Sequence, residues 1–140
     1  MLTYDPRRVE IIYGTKRLTG MADDDMVTIE PLGDGAVQYV GADGEVARSM
    51  DPNRTYKITV NLASTSKSND YLSKVYNLDR KTGNGILPLM VKDLSGTTLF
   101  AAEEAYIANY PQAKKGREID GQEWVFNTGN VDDPILGGND

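Results

Sequence analysis

The sequence predicts a mainly β protein of the α+β class, with one α-helix and a long loop or hairpin extension. The clearest observation is residues 55–62, where aromatic and aliphatic side chains alternate with polar ones. Side chains alternate between the faces of a strand, so this pattern gives one apolar and one polar face. After Ser64 the apolar residues recur at helical spacing. In addition, 14 glycines and 6 prolines divide the rest of the chain into short runs.

Other alternating runs predict shorter strands. Val9, Ile11 and Tyr13 form the first, and residues 14–17 are expected to turn the chain so that a return strand begins at Leu18. We expect further strands at residues 26–30, 86–92, 98–107 and 122–127. Pro88 lacks an amide hydrogen, which places its strand at a sheet edge or introduces a bulge. The single tryptophan, Trp124, is interpreted as a core anchor.

The helical period predicts a helix at residues 68–81. Ser66 or Ser68 can cap its start, and Asp70 lies in the first turn, where the helix dipole favours negative charge. Two basic residues occupy the last turn, and Gly83 ends the helix.

A long loop at residues 31–53 is expected to contain a marginal hairpin. The Asp43–Gly44 pair is a strong hairpin turn signal. An isolated two-stranded hairpin is barely stable in water. Such an extension is most easily explained if it packs on something, and a neighbouring subunit is one candidate.

The termini are interpreted as additions to a single domain covering residues 1–140. Residues 1–8 form a short arm, which either frays or docks on a neighbour. Residues 128–140 form a tail rich in glycine and aspartate, expected to be flexible unless a partner orders it.

Composition disfavours an enzyme. The chain has no cysteine and no histidine, which excludes disulfides, thiol catalysis and the commonest general base. Phosphate-binding and nucleophile motifs are also missing, so we predict no catalytic, cofactor-binding or metal-binding residues. Residues 23–25 are three aspartates without calcium-loop spacing. Glu103 and Glu104 are adjacent on a strand and are therefore expected to point to opposite faces.

The net charge of −6 disfavours nucleic acid as a binding partner, because such affinity comes mainly from cationic contacts to phosphate. The sequence carries no secretory signal or apolar run of membrane-spanning length. We therefore expect a protein made and kept in a cytoplasm, without a membrane anchor.

Six segments, taken in order and spacing, carry a resemblance to a known family. They are YDPR at 4–7, VGADGEV at 40–46, SKSNDYLS at 66–73, LDRKTGNG at 78–85, VKDLSG at 91–96 and FAAEEAYI at 100–107. Together they resemble the tail tube proteins of contractile-tailed bacteriophages, over residues 4 to about 124.

The resemblance implies a β-sandwich or partly closed barrel flanked by one helix. It implies hexameric rings that stack into a tube within the virion tail, assembled in the host cytoplasm. Such a tube holds the tape-measure protein and conducts DNA into the host without binding it specifically. The implied partners are further copies of the chain, the sheath protein, the tape-measure protein, the baseplate hub and the tail terminator.

The same resemblance suggests which residues make contacts. Ring-to-ring contacts are expected from Leu32, Asp34, Val37, Tyr39, Val40, Asp43, Glu45, Val46, Arg48 and Met50. The arm is expected to contribute Leu2, Tyr4 and Arg7. The acidic lumen is expected to include Asp23, Asp24, Asp25, Glu103 and Glu104.

Two other interpretations remain at this point. One is a tube protein of a phage-derived bacteriocin or contractile injection system. The other is a small monomeric β-domain that binds carbohydrate or protein. The latter predicts an exposed aromatic platform, whereas most tyrosines here fall on strand faces that need a core.

Overall fold

A computed structural model describes residues 1–22, 26–111 and 121–138. Within these residues the chain forms nine β-strands and one α-helix, preceded by a 3₁₀ turn at Pro6–Arg8. The elements are β1 (Val9–Tyr13), β2 (Lys16–Arg17), β3 (Val27–Pro31), β4 (Ala36–Val40), β5 (Val46–Met50), β6 (Tyr56–Ala63), α1 (Ser68–Thr82), β7 (Leu87–Asp93), β8 (Leu99–Asn109) and β9 (Gly121–Thr128). The prediction of a mainly β fold with one helix is therefore confirmed for the described residues.

The main sheet has the strand order β2-β1-β7-β8-β9-β6-β3, and all neighbouring strands are antiparallel. This sheet is not closed, because β2 and β3 lie at opposite edges and do not pair with each other. Strands β4 and β5 form a separate hairpin.

Strong curvature of the main sheet creates the core. The rings of Tyr13 on β1 and Phe126 on β9 lie 4.9 Å apart, although two strands separate β1 from β9 in the sheet. The concave face therefore packs against itself. Its buried side chains include Ile11, Ile58, Val60, Leu62, Leu89, Val91, Phe100, Ile107 and Trp124.

The helix covers this core and is close to its predicted extent. Gly83 ends it in the left-handed conformation (φ 74°) and donates its amide to the carbonyl of Asp79. Lys67 occupies the N-cap position and makes no side-chain capping bond, but one of the two predicted serines, Ser66, accepts a 3.1 Å hydrogen bond at its hydroxyl from the amide of Ser68. The Ser68 hydroxyl instead accepts a 2.9 Å hydrogen bond from the amide of Thr19 and joins the helix to the segment after β2.

A bulge lies between β7 and β8. Leu87 pairs with Ala105 and Leu89 pairs with Ala102, so Pro88 lies opposite both Glu103 and Glu104. Of the two predicted placements for Pro88, the bulge is correct, since β7 is an internal strand. The prediction that the two glutamates face opposite ways is wrong, because the extra residue breaks the alternation and both are exposed.

The first hairpin is tighter than predicted. Gly14 adopts a φ of 67°, which lets the turn close in two residues, so the return strand begins at Lys16 and not at Leu18. The chain then crosses to β6, where the amide of Ala63 donates to the carbonyl of Gly20.

The C-terminal segment (residues 129–138) is ordered against the body of the protein. Val131 is buried, and its amide donates to the carbonyl of Arg54 at 3.0 Å. Ile135 forms a β-bridge with Leu99. The expectation of a flexible tail is therefore wrong for these residues, because Val131 adds to the same apolar core.

Candidate assembly surfaces

The described residues contain no cluster of side chains that could bind a metal ion. In the ranges 1–22, 26–111 and 121–138, no three His, Cys, Asp or Glu side chains come close enough to hold a metal ion. No helix in this part of the chain is long and apolar enough to cross a membrane. Three exposed surfaces of the protein are candidates for contacts with other molecules.

The first surface is the projecting hairpin, formed by β4, β5 and their turn (residues 36–50). Cross-strand pairs place Val37 and Tyr39 on one face and Val40, Val46 and Met50 on the other. Tyr39 is 68% exposed and Met50 is 64% exposed. Apolar side chains therefore cover both faces of a strand pair whose residues are all exposed. Burial of such surfaces against a partner is strongly favourable.

The structure places all ten predicted inter-ring residues on this hairpin or in the loop before it, and each is exposed. They are Leu32, Asp34, Val37, Tyr39, Val40, Asp43, Glu45, Val46, Arg48 and Met50. Their contact with another copy stays a prediction.

Sequence analysis missed the group that fixes the base of the hairpin. The carboxylate of Asp51 accepts hydrogen bonds from the amide of Asp34 at 2.8 Å and from the amide of Asn53 at 2.9 Å. These bonds hold the pKa of Asp51 below its ordinary value, because they favour the charged form. The amide of Asp51 in turn donates to the carbonyl of Gly35 at 2.7 Å. No local pattern in the sequence identifies this partner, because Asp34 lies 17 residues away.

The C-terminal segment ties down the strand that leaves the hairpin. The amide of Arg54 donates to the Oδ1 of Asn130 at 3.1 Å. The guanidinium of Arg54 also forms an ion pair of 2.9 Å with Asp132. The base of the projecting hairpin is thus held from both sides, by Asp51 and by the C-terminal segment.

The second surface consists of the two edges of the main sheet. Within the described residues, β2 pairs only with β1 and β3 pairs only with β6. Each edge therefore presents unpaired backbone groups, which are a template for another strand. On the convex face the β2 edge carries exposed Arg17, which also pairs with Glu10 at 3.6 Å, and the β3 edge carries exposed Glu30. Lys16 of β2 lies on the helix side, over the ring of Tyr71. The two edges are complementary in charge.

The third surface is the convex face of the main sheet. Glutamates outnumber cations on it, with Glu10, Glu30, Glu103, Glu104 and Glu123 against Arg17, Lys57 and Lys92. Two of the predicted lumen residues, Glu103 and Glu104, are exposed at the bulge of β8. The other three, Asp23, Asp24 and Asp25, lie outside the described residues. That any of these residues faces a lumen stays a prediction.

The N-terminal arm leaves its predicted contact residues exposed. Leu2, Tyr4 and Arg7 are all accessible, although Arg7 forms a 3.0 Å ion pair with Asp5. Tyr4 lines a cavity of about 660 Å³ that also borders β3, β7 and the C-terminal segment. The arm therefore lies beside the free β3 edge.

Comparison with known proteins gives the family. The family model described as "Bacteriophage PhiTE tail tube protein" matches residues 12–137. "Structural protein ORF10" of Pseudomonas phage KPP10 is 35% identical over 137 residues, which cover 92% of this chain and 79% of that protein.

Solved structures of contractile systems have a similar fold. A chain of the anti-feeding prophage cap, which terminates the tube, gives a TM-score of 0.66 at 11% identity and covers 94% of this chain and 91% of its own. A chain of the sheath–tube complex of an extracellular contractile injection system (PVC) gives a TM-score of 0.57 at 13% identity, with 95% and 93% covered. At these identities the similarity concerns the fold alone.

An unclosed β-sheet with one helix, an exposed apolar hairpin and a phage structural relative together define a structural tube protein of a phage-type tail, and not an enzyme. The chain belongs to the Bacteriophage PhiTE tail tube protein family. It is accordingly a structural component of the virion. The resemblance to tail tube proteins that the sequence carries is confirmed.

Proposed function

We propose that this chain builds the inner tail tube by forming hexameric rings that stack, and that the tube conducts the genomic DNA into the host. The tube first holds the tape-measure protein. The observation that carries this proposal is the pair of complementary free edges on a sheet that does not close within one chain.

Ring formation satisfies both edges. A strand edge that stays unpaired exposes backbone donors and acceptors, which soluble proteins normally protect. Pairing the β2 edge of one copy with the β3 edge of the next brings Arg17 towards Glu30, since both lie on the convex face. This contact is head-to-tail, because it joins two different surfaces, and a head-to-tail contact closes into a ring when its rotation is correct.

Stacking uses the projecting hairpin. Val37 and Tyr39 on one face and Val40, Val46 and Met50 on the other are each more than half exposed in the single chain. Insertion between two subunits of the adjacent ring buries both faces. The N-terminal arm, with Leu2, Tyr4 and Arg7, adds contacts at the same junction.

The convex face then lines the lumen, where its excess of glutamates acts on DNA. Phosphates are repelled by a surface of the same sign within about a Debye length, roughly 8 Å at physiological salt. DNA therefore passes without being retained. The outer partners are the sheath protein along the tube, and the baseplate hub and tail terminator at its two ends. Solved relatives in fold include the chains of a sheath–tube complex and of a sheath/tube terminator.

A deletion of residues 36–50 tests the stacking role. The cut ends are compatible, because the amide of Asp51 already bonds the carbonyl of Gly35. Electron microscopy of the purified variant is expected to give single rings or monomers, whereas the wild-type chain forms tubes. A matched control replaces only Ala42, an exposed turn residue outside the predicted contacts, with serine. Tubes of normal length from the deletion variant would refute the proposal.

The composition of the assembled particle distinguishes a phage tail tube from the DNA-free tube of an injection system. The 35% identity to a phage structural protein favours the phage. Particles purified with this chain in them are expected to contain a DNA-filled capsid. Tailed particles without any capsid would favour the injection system.

A further inference from the structure

A row of three lysines follows the solvent-facing side of α1, with Lys67 at its N-cap position and Lys74 and Lys81 within the helix. Seven residues make nearly two helical turns, so these positions lie almost above one another, about 10 Å apart. All three are exposed. Leu78, which is 50% exposed, lies within this lysine row.

The lysine row is only partly neutralised by the described residues. Within the described residues, no carboxylate lies within 4.0 Å of these ammonium groups, and the ion pairs that do form involve Arg7, Arg17 and Arg54. Of the two acidic residues on the helix, Asp79 uses its Oδ1 to accept a bond from the amide of Gly85. The other, Asp70, is exposed between Lys67 and Lys74 and offsets part of the charge at that end of the row, so Lys74 and Lys81 form its positive part. The helix face is therefore positive in a chain whose net charge is −6.

Exposed apolar residues lie beside these lysines. Leu78 lies between Lys74 and Lys81, and Ile86, which follows the helix, is also exposed. A central apolar side chain surrounded by charges has the composition of a contact surface with a polar rim. The arrangement suits a partner that offers carboxylates around an apolar side chain.

We propose that the lysine row and Leu78 bind an acidic surface on the sheath protein that surrounds the tube. This inference rests on the proposed function, and the geometry supports it. The helix packs on the concave side of the main sheet, and the glutamate-rich convex face lies on the opposite side. When the convex face lines the lumen, the helix faces outward. The sheath surface is expected to carry Asp or Glu side chains about 10 Å apart, matching the rise of seven helical residues.

A nucleic acid is the weaker candidate for the same face. Affinity for DNA depends on many cationic contacts to phosphate and on a favourable long-range field. Three lysines in a chain of net charge −6 supply neither. A protein surface with a few carboxylates interacts mainly with the nearby lysines, because salt screens the more distant negative charges of the chain.

The test compares tubes of the full chain carrying Lys74→Glu and Lys81→Glu with tubes carrying Lys74→Arg and Lys81→Arg. The arginine pair keeps the charge and the helix propensity. Each tube is incubated with purified sheath protein of the same phage and sedimented at rising salt concentrations. We expect the glutamate pair to weaken sheath binding on the order of tenfold, whereas the arginine pair binds like the wild type. Wild-type binding is expected to fall as salt rises.

The outcomes separate the two proposals. A wild-type protein that forms no tubes rejects the proposed function and this inference with it. Tubes of normal diameter that bind sheath equally well with glutamate or lysine reject this inference alone. A short double-stranded DNA and tubes without sheath serve as additional probes. DNA binding, or bundling of tubes, that disappears with the glutamate pair while sheath binding persists would assign the face to DNA or to a second copy and overturn the inference.

Discussion

The indole Nε1 of Trp124 donates a 2.8 Å hydrogen bond to the Oδ1 of Asn69, so a buried strand side chain is joined to the first turn of the helix. The amide nitrogen of Asn69 donates to the carbonyls of Ala63 at 2.9 Å and Ser66 at 3.0 Å. One buried amide therefore satisfies the indole donor and two backbone acceptors. It fixes the helix against β9 and against the end of β6.

We expect Asn69→Leu to lower the free energy of unfolding by about 1–3 kcal/mol, because it leaves the buried indole donor without a partner. Urea denaturation followed by tryptophan fluorescence measures this change, since Trp124 is the only tryptophan. The control Asn77→Leu, at an exposed position of the same helix, is expected to change stability little. Equal effects of the two substitutions would contradict the role assigned to Asn69.

We expect Asp51→Ala to loosen the base of the projecting hairpin while the main sheet stays intact. The substitution removes the acceptor for the amides of Asp34 and Asn53. Hydrogen exchange is expected to accelerate in residues 34–53 and to stay unchanged in β6 and β9. Asp34→Asn is the matched control, because the interaction made by Asp34 uses its backbone amide. Unchanged exchange in Asp51→Ala would show that the hairpin base is held by other contacts.

Acid is expected to mimic Asp51→Ala. The bonds to Asp51 lower its folded-state pKa below the ordinary value for aspartate. Their stabilising effect is therefore fully present above that ordinary value and is lost as the pH falls through the folded-state pKa. Hydrogen exchange of the hairpin base, measured in the wild type as the pH is lowered, is expected to approach that of Asp51→Ala once corrected for intrinsic rates. A pH-independent difference between the two proteins would exclude this carboxylate.

We expect Arg17→Glu and Glu30→Arg each to reduce the fraction of protein in rings, and the double variant to restore it. Each single change places like charges across the proposed contact between the β2 and β3 edges, and the double change exchanges the two charges. Sedimentation velocity of the three variants at low salt measures the assembled fraction. The double variant is the internal control for folding. Failure of the double variant to recover assembly would place these residues outside a shared contact.

We expect Gly83→Ala to cost about 1 kcal/mol of folding stability, and Gly83→Asn to cost less. A Cβ at this position meets no heavy atom within 4 Å, so the cost comes from the backbone conformation (φ 74°) and not from a clash. Asparagine tolerates the left-handed region better than alanine does. Thermal unfolding of both variants measures the difference. A larger loss with asparagine would point to an unseen contact at the end of the helix.

Local patterns in the sequence predicted the elements well, and long-range relationships poorly. The alternation in residues 55–62 gave β6, and the helical period gave α1 to within one residue. The order of strands in the main sheet did not follow, because pairing of β9 with both β8 and β6 depends on the packing of distant residues. The bulge at Pro88 was one of two predicted alternatives. The missing amide hydrogen of proline is compatible with either an edge strand or a bulge, and it does not show which strands lie next to β7.

For the candidate surfaces, too, the local features were predictable from the sequence and the long-range contacts were not. The hairpin was predictable because Asp43–Gly44 is a local turn signal. Its attachment through Asp51 was not, since the acceptor and the amide of Asp34 are far apart in the chain. The burial of Val131 was not predicted, because a single buried apolar side chain gives no periodic pattern. The composition of the surrounding segment suggests flexibility.

Because the hairpin is attached at its base, its residues lose conformational entropy when the chain folds and not when it associates with a partner. Ordering a backbone residue costs about 1–2 kcal/mol, and this cost falls either on folding or on association. The hydrogen bonds at Asp51 and the ion pair between Arg54 and Asp132 form within one chain. A second molecule that reaches the hairpin therefore meets a strand pair already in place, and less of its binding free energy is offset by ordering. Such preorganisation favours rapid addition of subunits over slow folding upon contact.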